Sequence, residues 1–201
     1  MKIFAHIIST IFQPLLMPTY GMLLLLLTGE FYWHIALLYI GFIFLLTAIL
    51  PLVFILVLKR LGFISSIQLT DRKERRLPYL FAILSYFLAL ALLWYSYFPV
   101  YVLTTMLGCV TATIVVSIIT RWWKISAHLC AMGCLCAAIL VVSILLKKDS
   151  AALLSVAFVM AGMVASARLI LRVHTPLQTL AGFAVGFLFV TGFGMIFLVN
   201  N

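Results

Sequence analysis

Two histidines and several arginines and lysines stand at the ends of apolar stretches in this 201-residue chain. Arg168 precedes His174 by six residues at the end of one such run, and Thr175-Pro176 closes that run and opens the next. Arg can fork two N–H donors onto phosphate oxygens, and a neutral imidazole can attack phosphorus. The second histidine, His128, ends the segment Lys124-Ile125-Ser126-Ala127-His128 and begins another apolar run. Ser126 and Ala127 are small, and their backbone N–H groups would sit at a helix N-terminus, where anions bind. His128 there can protonate a leaving alkoxide as general acid. Taken singly, Arg168 with His174 is more often an interfacial anchor than a site, and His128 beside Trp122-Trp123 can be one too.

A third charged place is Asp71–Pro78, at the end of the one long connection, residues 60–77. Gly62 and Ser65-Ser66 interrupt that connection, and Thr70-Asp71 can cap a short helix starting near Arg72. Such a helix puts Arg72 with Arg76, and Lys73 with Arg76, on shared faces. A solvated basic loop is the alternative reading.

The elements that must position these residues are apolar helices. Hydrophobic residues make up 67% of the chain, charged residues 8%, and mean hydropathy is +1.32. Soluble domains carry about 25% charged residues, so the class is integral membrane. Hydrocarbon offers no water to an open backbone, which makes the expected fold an all-α polytopic helical bundle in a single domain. Candidate spans are 5–28, 35–58, 79–97, 100–120, 128–146, 151–171 and 177–199, each near the ~20 residues that cross a bilayer. Gln13, Pro14 and Pro18 suggest a kinked or partly re-entrant first segment, giving six to seven transmembrane helices. Met1-Lys2 and the following apolar run show no small-x-small cleavage pattern and read as a retained segment.

With seven spans, Gly29–His34, Ser96–Pro99 and Lys147–Ser150 mark a plain side. Every Lys and Arg except Lys147 and Lys148 falls on the opposite, polar side. The positive-inside rule makes that side cytoplasmic. The net charge of +9 lies beside membrane segments, so anionic lipid, and not nucleic acid, is the expected partner. The spans lack the paired carboxylates or mid-membrane charges of ion-coupled transport. Cys109, Cys130, Cys134 and Cys136 lie in apolar stretches and read as packing residues. A metal site at His128, Cys130 and Cys134 is a weaker alternative, because structural zinc sites are closed sets of ligands. Gly182-x-x-x-Gly186 permits close helix approach, within the chain or between copies, and the oligomeric state stays open.

Together the three charged places resemble the type-2 phosphatidic acid phosphatase superfamily, whose pattern is K-x6-R-P, P-S-G-H and S-R-x5-H-x3-D-V-x2-G. The likeness covers roughly residues 70–186, with the motifs in the same order. Arg168, His174 and Gly182 fall in register with the third motif, and Ser126 and His128 with the second. Ile125 and Ala127 replace Pro and Gly, and Ala167 replaces the third motif's Ser. Before Pro78, Thr70 and Leu77 occupy the Lys and Arg positions, with Lys73, Arg75 and Arg76 nearby. Gln178 stands where the family carries Asp.

The resemblance implies a membrane lipid phosphatase, metal-independent and without cofactor, acting on a lipid phosphate or pyrophosphate and located in a bacterial inner membrane. It implies His174 as the nucleophile, His128 as the acid, and Arg168, Lys73, Arg75, Arg76 and the Ser126-Ala127 backbone as the phosphate cradle. Gln178 would orient His174 without supplying charge, and Asp71 or Glu74 could fold over to supply a carboxylate. A non-catalytic relative that binds anionic lipid, or serves as a membrane subunit, is the alternative.

Overall fold

The computed structural model describes residues 1–28, 33–69 and 71–199. Among these the chain is helical without strands, and six helices are long and apolar enough to cross a membrane. The chain is therefore an integral membrane helical bundle. Thr70 and residues 29–32 of the plain-side junction lie outside the described residues.

The first candidate span is divided. Helix α1 (Lys2–Ile11) stops at Phe12, and α2 (Met17–Thr28) starts after a turn closed by Leu16 N–H donating to Gln13 O, 2.9 Å. Pro14 inside that turn has no N–H to continue a helix. Met17 packs with Leu129 and Ala167 at the polar side, whereas Leu25 and Leu26 join Leu93, Phe98 and Val102 near the plain side. Helix α2 thus runs inward through the bundle, but its 12 residues rise only about 18 Å. Helix α1 stays at the polar side. It buries Ala5, Ile8 and Ser9 against α7 and α8 and turns Ile3, Phe4, Ile7 and Ile11 outward.

The next crossing is one helical rod in three parts: α3 (Trp33–Phe44), a π turn (Leu45–Ile49) and α4 (Leu50–Arg60). Pro51 accounts for a gap in its ladder. In the π turn Leu50 N–H donates to Leu45 O, so the next bond would run from residue 51 to Leu46 O, and Pro51 has no hydrogen to give. The Ser85 hydroxyl, from α5, donates to Leu46 O instead. A carbonyl that lipid could not satisfy becomes a contact between two spans.

Helices α5 (Arg76–Tyr95), α6 (Val100–Ile119), α7 (Ala127–Leu146), α8 (Ala151–Ile170) and α9 (Pro176–Val199) follow the candidate spans to within a few residues. Helix α7 is the centre, packed by α2, α6, α8 and α9. Its approach to α9 is closest where side chains vanish. A Cβ on Gly182 would strike Ser126 O, one on Gly186 would strike Cys130 O, and one on Gly133 would strike Phe183 O. The Gly182-x-x-x-Gly186 pattern is therefore used inside the chain. Cys130 and Cys134 pack in the same region, with Ala112, Val116 and Val190.

This packing makes a prediction about α9. Gly186→Val forces the helix off a backbone carbonyl, at about 1–3 kcal/mol or more, and should lower the melting temperature in detergent clearly. Gly162→Ala on α8, where a new Cβ meets nothing within 4 Å, should not lower it. Equal melting temperatures for Gly186→Val and the native chain would contradict the close approach.

Candidate functional site

The polar ends of α1, α5, α7 and α8, with the junction that leads into α9, meet around one cavity of about 470 Å³. Arg75, Lys124, Ala127, His128, Arg168 and His174 all line it. Two backbone ties hold the junctions together: Ser126 N–H donates to Gln178 O at 3.2 Å, and Arg72 Nη1 donates to Trp122 O. A residue pair fifty positions apart, Lys124 and His174, is joined through the Lys124 carbonyl and His174 Nδ1, 3.2 Å.

His174 follows the last turn of α8 and precedes Pro176, the first residue of α9, so its buried ring is set by two helix ends at once. Its Nδ1 also lies 3.1 Å from Gln178 Oε1. Thr175 N–H donates to the same oxygen at 3.1 Å, which identifies it as the carbonyl end of the amide. Nδ1 therefore faces two acceptors and carries the ring hydrogen, leaving the lone pair on Nε2. Burial first, then the positive charge of Arg168, pulls the His174 pKa down to about 4, against the pull of Gln178 and the Lys124 carbonyl. At neutral pH the ring is uncharged.

The cations are crowded. Arg75 is buried, and its Nε donates to Leu69 O at 2.8 Å. Burial and then the charges of Arg75 and Arg168 push the Lys124 ammonium below its ordinary range, and Asp71 opposes them. The other nearby acid, Glu74, accepts from Ser65 N–H at 3.0 Å through Oε1, while Asp71 Oδ1 accepts from Lys73 N–H at 2.9 Å. These bonds hold both carboxylates within the 60–77 connection. Among the described residues neither is hydrogen-bonded to His174.

Ser9 of α1 reaches into the cluster. Arg168 Nη1 donates to Ser9 Oγ at 2.6 Å, and His128 Nε2 lies 3.1 Å from Ser9 O and 3.3 Å from Ser9 Oγ. A hydroxyl oxygen thus sits between the guanidinium and the second imidazole. Arg168 Nε is buried with no hydrogen-bond partner. Tyr79 stands beside Thr120 and Arg75 at the cavity wall.

The structure sorts the residues singled out from the sequence. His174, His128, Arg168, Gln178 and Arg75 come together. Lys73 and Arg76 are exposed and do not line the cavity. Residues 73–75 wind as a 3-10 turn, so one of the three neighbouring cations points inward. Ser126 is committed to structure: its hydroxyl caps α7 by accepting from Leu129 N–H, 3.4 Å, and its N–H is held by Gln178 O. Ala127 keeps a first-turn N–H without a helical acceptor, as does His128. Lys124 belongs to the cluster through its position beside His128, and Ser9 joins it with no local sequence signal at all.

No family model matches the chain, and no curated protein or solved structure matches it.

The histidine environment carries a sign that can be measured. An unfolded His titrates near 6.5, and His174 near 4 when folded. Between those values the unfolded state binds more protons, so this group lowers stability as pH falls from about 6.5 to 4 and contributes nothing above 7. In ring-labelled protein the His174 signal should titrate near 4. Gln178→Glu, which puts a carboxylate against Nδ1–H, should raise that midpoint by about 1–3 pH units. An unchanged midpoint in Gln178→Glu would contradict the Nδ1–Gln178 contact.

Proposed function

We propose that this protein is a membrane-embedded phosphatase-like hydrolase that cleaves a lipid phosphate or pyrophosphate through a phosphohistidine. The observation that carries the reading is the convergence, in one cavity, of a neutral His174, a second imidazole at His128, and the cations Arg75, Lys124 and Arg168. Three helix junctions far apart in the chain supply these groups, and a phosphoryl group needs that set together.

The chemistry follows from the hydrogen-bond directions. Nε2 of His174 attacks phosphorus while Nδ1–H stays on Gln178 Oε1 and the Lys124 carbonyl. The P–O bond to the lipid breaks, and His128, in its protonated form, gives a proton to the departing oxygen. Water then attacks the phosphohistidine and gives its proton to His128, which regains its acid form; the P–N bond breaks, inorganic phosphate leaves and the lone pair returns to Nε2. Arg168, Arg75 and Lys124 meet the charge that builds on the phosphoryl oxygens. The Ser9 hydroxyl occupies an oxygen position on Arg168, which a phosphoryl oxygen would take over, so binding requires α1 to shift.

Gln178 supports a second reading. It orients the ring but brings no negative charge to an imidazolium, and the comparable Asp-to-Asn change in a serine-protease triad costs about 10⁴ in turnover. A binder of anionic lipid would keep the cationic cavity and dispense with that charge.

Purified protein should release inorganic phosphate from a panel of lipid phosphates and pyrophosphates, and His174→Ala should reduce release to background. Gln178→Asp should raise the native rate at least tenfold, by about 1.4 kcal/mol of transition-state stabilisation. Folded protein inactive on the whole panel, with Gln178→Asp equally inactive, would favour the binder over the hydrolase.

A further inference from the structure

The cavity does not end at the cationic mouth. It continues inward past Ala82 and Cys109 to Leu93, Val102 and Ala138, close to the plain side of the bundle. From Tyr79, just beneath the mouth, to Leu93 along α5 is about 21 Å at 1.5 Å per residue. The walls below the mouth come from α2, α5, α6 and α7, with Ile43 of α3 and Ile55 of α4, so the space is enclosed between helices of the bundle.

Two of its polar wall groups are satisfied within their own helices: Thr105 Oγ1 donates to Tyr101 O at 2.7 Å and Thr113 Oγ1 to Cys109 O at 2.8 Å. Tyr86 stands on the same wall, and the rest of the inner lining is mostly apolar. At the mouth the preference reverses: Arg168 Nε is buried without a partner, among cations and the uncharged His174. One continuous cavity is thus anion-seeking at one end and chain-seeking at the other.

We infer that the ligand is an amphiphile with a terminal phosphate on a long apolar chain, and that this chain runs inward through the bundle. The inference rests on the phosphate reading of the mouth and adds the place of the chain. The run of about 21 Å from Tyr79 to Leu93 gives an extended chain a path from the mouth toward the plain side, along residues that line the same cavity. Lipid tails are as apolar as the slot wall, so the slot selects by shape, admitting a chain that can leave its neighbours and extend alone.

The test is photolabelling of the full-length protein in lipid nanodiscs with hexadecyl monophosphate bearing a diazirine at its far end. Adducts are mapped by peptide mass spectrometry. The expected result is labelling at Leu93, Val102 or Met106, lost when excess hexadecyl monophosphate competes and retained when hexadecanol competes. Labelling confined to outward residues such as Leu84, Phe87 and Leu88 would overturn the slot while leaving the mouth to be judged by phosphate release. Labelling of the inner residues that hexadecanol removes as well as the phosphate does would leave the slot standing and overturn the phosphate reading. Ala138→Phe, which plugs the inner end, should abolish inner labelling and leave binding of butyl phosphate intact. Retained inner labelling in that variant would count against the slot.

Discussion

Positive charge without a matching carboxylate is the constraint around which this bundle is arranged. Arg75, Lys124 and Arg168 crowd one partly buried cavity, and Asp71, the one acid felt there among the described residues, acts on Lys124. Taking a cation out of water is costly unless an opposite charge or hydrogen bonds compensate, and three together also repel one another. The protein meets part of that cost with uncharged oxygens: Leu69 O on Arg75 and Ser9 Oγ on Arg168. The remainder is typified by Arg168 Nε, buried without a hydrogen-bond partner, and it is this remainder that the proposed phosphate ligand would meet.

The supporting structure makes sense in that light. Gly182 and Gly186 bring α9 against α7, and the backbone tie from Ser126 to Gln178 locks the two helix starts where the histidines stand. Widening that contact would separate His174 from the Lys124 carbonyl that helps to hold its tautomer. The Ser85 bond to Leu46 O fastens α5 to the α3–α4 rod, and α5 begins with the turn that carries Arg75. Packing deep in the membrane and geometry at its surface are one problem.

Much of this was legible in the sequence because the physics was local. Apolar runs of about 20 residues marked the long spans, and Pro14 marked the break that divides α1 from α2. Arg168, His174 and Gln178 were legible as a group because they share one helix junction. Which of Lys73, Arg75 and Arg76 turns inward was not legible, since a 3-10 turn and an α-helix aim successive residues differently. The role of Ser126 as a cap, and not as a phosphate donor, depends on Gln178 taking its N–H across helices. Ser9 was out of reach altogether: nothing near it in the chain says that α1 folds back under Arg168.

The central claim concerns what fills the cationic mouth, and a structure determined with orthovanadate tests it most directly. The account places vanadium within bonding reach of His174 Nε2, its oxygens on Arg168 and Arg75, and Ser9 withdrawn from Arg168. Vanadate absent from the cavity at saturating concentration, with Ser9 still seated on the guanidinium, would contradict it.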